Sequence, residues 1–264
     1  LKKNQVGSVN ASSGGTVNVP GGATLVFPAN SVAKKSGGAY SGTVKIVAQY
    51  LDPEDPALPL KMPGDLRATN AAGVAGVLAT FGMIGVELED ASGEPLQVAA
   101  GSSVEIRMPI PAGKASVAPA TISLWHYDHE TARWIEEGSA QKIGNEYVGT
   151  VQHFSFWNCD YFGETVNLEG RVLKQNSQAP LAGVWVRLTV LSTGFQGWAT
   201  TDDNGYFGGL VPKNEAMKLE VYFNTDCGTQ IFYTQDVGPY TTDTVLPDIL
   251  ISLATADAVN MSGR

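Results

Sequence analysis

The stretch TVKIVAQY, residues 43–50, decides the fold class of this chain. Val44, Ile46, Ala48 and Tyr50 recur at every second position, and successive side chains of an extended strand point to opposite faces, so the four share one face of a half-buried β-strand. The same period returns in VEIRMP (104–109), where Val104, Ile106 and Met108 alternate with Glu105 and Arg107. Turn clusters interrupt these segments. In DPEDPALP (52–59) and ASGEP (91–95) proline fixes φ and lacks an amide donor, so sheet pairing stops there. No window carries a helical stripe of any length, and residues 15–160 read as an antiparallel sandwich of about eight to ten strands.

The bulk composition agrees. The chain has 264 residues, enough for two domains with a core each, and its 16% of charged residues is low beside an average of about 25%. Its 30 glycines and 14 prolines suit many short strands and turns. The net charge is −9, and the paired basic residues are Lys2–Lys3 and Lys34–Lys35, too few to neutralise a run of phosphates, so nucleic acid is excluded as a partner. The uncharged run 68–86 carries Asn70, two threonines and four glycines and falls short of the roughly 20 apolar residues of a membrane span. It reads as a loop and a buried strand.

Outward from this core, residues 1–14 are Ser/Gly/Asn-rich and read as a flexible leader. The chain opens on Leu1, and the polar KKNQVGSVNASSGG after it resembles what remains once an export signal or lipid-anchor segment is removed. After NCDYFGET (158–165) a second β pattern begins. Val184, Val186, Leu188 and Val190 alternate with Trp185, Arg187 and Thr189, and TTDDNGYF (200–207) supplies an Asn-Gly turn. The expected architecture is all-β, with two consecutive antiparallel β-sandwich domains at 15–160 and 161–254 and a frayed tail at 255–264.

Two family resemblances attach to these halves. GGATLVFPANSV (21–32), GTVKIVAQYLDP (42–53), MPGDLRA (62–68), FGMIGVELED (81–90) and WNCD (157–160) resemble the β-domain of cartilage intermediate layer protein and of bacterial surface proteins. That segment is more distantly similar to the β-domain shared by ankyrins and netrin receptors. EGRV (169–172), PLAGVWV (180–186), TDDNGYF (201–207) and LEVYF (219–223) resemble the carboxypeptidase regulatory-like, transthyretin-like sandwich. The second resemblance implies a fold and a surface location without peptidase zinc ligands. Some members of the distant group cut their own chain within His-Phe-Ser, which matches His153, Phe154 and Ser155.

In a strand His153 and Ser155 would project to one face while Phe154 and Phe156 enter the core. His153 would take the proton from Ser155, whose oxygen would attack the Phe154 carbonyl, given a strained peptide. The preferred reading of the triplet is structural. HYDH (126–129) groups His126, Asp128 and His129 as a candidate metal set, read here as a solvated hairpin turn because two imidazoles without further fixed ligands seldom define a site. TDDNG lacks the later Glu of a calcium loop. A Lys–Asn crosslink would want an asparagine on the last strand, where DTVLPDILISL offers Asp243 and Asp248. In an exported protein Cys159 and Cys227 would form a disulfide of roughly 4 kcal/mol, and in a cytosolic one they would be two buried thiols.

No convergent catalytic set, nucleophile elbow or phosphate loop is present. The expectation is a non-enzymatic, exported cell-surface or periplasmic interaction module without a cofactor, whose partner is a surface protein or a glycan. Its candidate contacts are Trp185, Trp198 and Tyr206. The alternatives are a module cut between Phe154 and Ser155, and a dedicated carbohydrate-binding module.

Overall fold

The period-2 pattern at 43–50 becomes the strand Thr43–Leu51, in which Val44, Ile46 and Ala48 are buried while the residues between them are not. The computed structural model describes residues 4–55, 57–225 and 228–252. Antiparallel β-structure dominates it. Helical geometry among the described residues is confined to one turn at Leu58–Lys61 and a 3-10 turn at Ala112–Lys114. The chain divides into two units, Leu1–Glu164 and Thr165–Arg264.

In the first unit, neighbouring strands run in the order Asn4–Asn10, Thr43–Leu51, Ala75–Glu89, residues 156–164 of Phe156–Lys174, Thr121–Asp128, Arg133–Ile143, Glu146–Val151, Val104–Pro109, Thr24–Phe27 and Gly15–Asn18. Arg67–Thr69 makes a short parallel pairing with Arg133–Ile143. Leu25, Ile46, Met83, Ile106, Leu124, Trp125, Trp134, Tyr147 and Trp157 are fully buried. Each such side chain withdraws enough apolar area to contribute about 1.5–3 kcal/mol before its ordering cost. The uncharged run 68–86 does become a loop and a buried strand, with Phe81 through Val86 covered on both faces.

Two expectations about local structure are corrected. Residues Asn4–Asn10 are not a flexible leader; they form a strand antiparallel to Thr43–Leu51, from Asn4 opposite Ala48 to Asn10 opposite Thr43, with a register shift between Gln5 and Gly7. Backbone hydrogen bonds along the open edge hold this segment, and its mostly exposed polar side chains conceal a strand that composition alone reads as linker. Residues 152–155 are not strand either. They form a bend between Glu146–Val151 and Phe156–Lys174, so the alternation that would set His153 beside Ser155 does not operate. The expected tail at 255–264 lies outside the described residues.

The second unit is built from two sheets. Residues 165–174 pair antiparallel with Tyr206–Pro212 and parallel with the short Thr244–Val245 and Ile249–Ile251. The other sheet runs in the order Gln196–Thr200, Trp185–Val190, Met217–Thr225 and Gly228–Val237. Val166, Leu168, Val172, Val184, Val186, Phe207, Leu219 and Val221 meet in its core. The Asn-Gly turn links the two sheets: Asp202 Oδ1 accepts from the amides of Asn204 and Tyr206 at 2.9 and 2.8 Å, and Gly205 takes φ +80°. Glycine is required there, since a Cβ would sit 2.5 Å from the Val172 carbonyl oxygen.

Candidate functional site

The chemically richest cluster of the first unit lies where three separate segments meet. His126 sits on Thr121–Asp128, opposite Ile135 on one side and Trp157 on the other. Glu137 is two residues beyond Ile135, so it shares a face with His126. Register between these strands shifts after Ser123, and Gly138 takes φ +87°; the irregularity leaves Glu137 without a cross-strand partner and aims its carboxylate at the imidazole. His153 reaches the same carboxylate from the bend. Glu137 Oε2 lies 2.7 Å from His126 Nδ1 and 3.1 Å from His153 Nε2.

The two imidazoles meet edge to face at 4.8 Å, and the buried Trp157 ring packs against both, at 5.7 Å from His126 and 4.9 Å from His153. Trp157 Nε1–H donates to the His153 carbonyl at 3.0 Å, which fixes the bend. Burial, then the neighbouring His153, hold the His126 pKa below the usual imidazole value against the opposing pull of Glu137 and Asp128.

The candidate metal set His126, Asp128 and His129 is not brought together. Asp128 turns to its own loop, accepting from Thr131 Oγ1 at 2.6 Å and the Glu130 amide at 2.9 Å, bonds that lower its pKa. The His129 ring packs on Tyr127. Sequence reasoning missed Glu137, and the signal for it was the glycine directly after Glu136–Glu137, which marks a bulge inside a strand pattern.

The His-Phe-Ser triplet points its groups apart. His153 Nε2 is engaged with Glu137, whereas Ser155 Oγ–H donates to the Phe156 carbonyl at 3.1 Å. Phe154 packs on Phe27 with ring centroids 6.0 Å apart, and Phe156 is buried. Beyond them, WNCD opens a buried polar network. Pairing between Phe156–Lys174 and Ala75–Glu89 shifts between Asn158 and Asp160, placing an extra residue at Phe81–Gly82. Thr80 Oγ1 accepts the Gly82 amide at 3.1 Å and donates to Asn158 Oδ1 at 2.8 Å; Asn158 Nδ2–H in turn donates to Asp160. Lys114 Nζ donates to the Thr80 carbonyl at 2.6 Å. Complete burial pushes the Asp160 carboxyl well up, more than Thr80, Lys114 and the Phe81 amide pull it down. Cys159 is fully buried with a free thiol, its pKa raised by the same burial; its candidate partner Cys227 lies outside the described residues.

In the second unit Trp185 and Trp198 share the open face of one sheet. Trp185 pairs across to Tyr222, and Arg187 pairs to Trp198 on one side and Glu220 on the other. The rings of Trp185 and Tyr222 stack at 6.3 Å and 16°. Arg187 lies over Tyr222 at 5.4 Å and binds Glu220 at 2.7 Å. Trp185 is 38% and Trp198 55% exposed. Tyr206 belongs to the other sheet, where it packs beneath the Arg171 guanidinium, so it is not brought to the two tryptophans. Among the described residues no helix is long and apolar enough to cross a membrane.

No family model matches this sequence. Cartilage intermediate layer protein 2 of Mus musculus is 35% identical over 136 residues, which covers 50% of this chain and 11% of that protein. About half of this chain is homologous to cartilage intermediate layer proteins. The human protein 2 is 30% identical over 122 residues, with 46% and 10% covered, and the human protein 1 is 30% identical over 117 residues, with 44% and 10% covered. The chain thus spans about a tenth of the length of these relatives. Among solved structures, shaft pilin spaA from Lactobacillus rhamnosus GG aligns over 80% of this chain and 88% of its own at 11% identity and a TM-score of 0.27. BcpA, the major pilin subunit of Bacillus cereus, aligns over 93% and 99% at 10% identity and a TM-score of 0.23. Superpositions this loose do not define a shared fold.

Proposed function

We propose that this chain is an exported, non-enzymatic interaction module that engages its ligand through the open sheet face of the second unit. The observation that carries the reading is the surface made by Trp185, Arg187 and Trp198 over the buried Tyr222, in which two half-exposed tryptophans flank a guanidinium already oriented by Glu220. Exposed aromatic side chains beside an ordered arginine are what interface hot spots use. Export is supported by the half-chain homology to proteins named for the intermediate layer of cartilage. The quoted EGRV, PLAGVWV and TDDNGYF stretches, set in two sheets around one core, support reading the second unit as a carboxypeptidase regulatory-like sandwich.

The finer reading is a carbohydrate ligand. Indole faces stack on the apolar faces of sugar rings, and the Arg187–Glu220 pair beside them supplies a donor and an acceptor for hydroxyls. A glycan array tests it: the wild type should bind a defined set of glycans, and Trp198→Ala, which removes an exposed ring without disturbing the core, should abolish that binding. A silent array, with capture of a protein by the wild type alone, would replace the sugar with a protein partner.

The divergence of His153 and Ser155 supports an uncut chain. Denaturing intact-mass measurement should give a single full-length species for both wild type and Ser155→Ala. Wild-type fragments meeting at Phe154 and Ser155 would make the triplet a self-cleavage site.

A further inference from the structure

We propose that His126, Glu137 and His153 form a binding site for a divalent transition ion of the zinc type. The proposal stands on geometry independent of the aromatic face. One ligand atom from each residue lies within 4.8 Å of the other two. A tetrahedral zinc ion with bonds of about 2.0–2.1 Å spaces its ligand atoms about 3.4 Å apart. Both nitrogen-to-carboxylate separations, 2.7 and 3.1 Å, are already near that value, and closing the widest gap needs a shift of about 1.4 Å.

The chemistry of the donors selects the ion. Two imidazole nitrogens and one carboxylate oxygen suit zinc and its neighbours, whereas calcium and magnesium seek all-oxygen shells. Without an ion, two imidazoles converge on a single carboxylate oxygen. A neutral imidazole that donates its N–H to Glu137 has only to switch tautomer to present a lone pair in the same direction.

The surroundings set the donors and leave the ion a way in. The Trp157 indole packs against both rings and ties down the His153 carbonyl, so the bend cannot swing freely away. Glu137 is held toward the histidines by the strand irregularity at Gly138. The three side chains remain 20–42% exposed, so the ion enters from solvent and a fourth position stays open to water or to a donor from another molecule.

The test is a titration of the full chain with zinc chloride, followed by calorimetry and by histidine side-chain NMR. The chain has three histidines. One ion per chain should bind, shifting the imidazole signals of His126 and His153 and leaving His129 in place. His153→Ala and Glu137→Gln should each weaken binding by at least the roughly 10–100-fold that even outer-shell changes cost, while His129→Ala should not. Calcium or magnesium at the same concentration should not compete. Absence of saturable zinc uptake, uptake unaffected by His153→Ala, or unmoved His126 and His153 signals would overturn the proposal. Should a variant fail to fold, the wild-type NMR titration decides alone.

Discussion

Replacing Thr80 by valine tests whether the WNCD segment is architecture. Valine matches threonine in shape, so the packing around a position that is only 5% exposed is kept and the hydroxyl alone is lost. That hydroxyl accepts the amide of Gly82, the residue pushed out of register opposite Cys159, and donates to the amide oxygen of Asn158, which is 0% exposed. Each partner is left buried without its bond, at about 1–3 kcal/mol apiece, and the added methyl returns about 0.8 kcal/mol. The net expectation is a loss of roughly 1–5 kcal/mol from the first unit. Chemical denaturation followed by tryptophan emission reads that unit, because Trp125, Trp134 and Trp157 are fully buried there while Trp185 and Trp198 are already exposed in the other. Thr80→Ser, which keeps the hydroxyl, should be the milder change. A loss below about 0.5 kcal/mol for Thr80→Val, or a serine variant weaker than the valine one, would refute the network as a source of stability.

Gly205→Ala should cost the second unit at least about 2 kcal/mol, because left-handed backbone strain adds to a Cβ placed 2.5 Å from the Val172 carbonyl; thermal unfolding measures it. Asp160 should make stability fall with rising pH. Its folded pKa is raised, so below the unfolded value of 3.8 both states are protonated and nothing is lost; above it the unfolded carboxyl ionises first and stability declines until the folded pKa is reached. Asp160→Asn should therefore gain on the wild type as the pH rises above about 4, and a difference between their denaturation curves that does not grow from that point would contradict the assignment.

The alternation of Val44, Ile46 and Ala48, and of Val184 and Val186, was legible because it reports which face a strand buries, and all of these residues are buried. Asn4–Asn10 was not, since its stability comes from backbone pairing that side-chain composition does not encode. The bend at 152–155 contains no glycine or proline, and local signals let the strand run on; what holds it is tertiary, including the bond from the Val86 amide to the Ser155 carbonyl. The same limit hid the histidine cluster. His126 and Glu137 are eleven residues apart, and Glu137 and His153 sixteen, so only strand register could bring them together, whereas the neighbours His126, Asp128 and His129 looked like a set and point to different partners.

The strand Asn4–Asn10 also decides how the protein tolerates trimming. It is the outermost strand beside Thr43–Leu51, and its backbone saturates a row of amides and carbonyls that water would otherwise reach. A version starting after Asn10 would carry a bare, regular edge backed by the apolar side chains of Val44, Ile46 and Ala48, a ready template for a strand from another molecule. Removing this strand would therefore leave Thr43–Leu51 open to pairing with a strand from a second molecule.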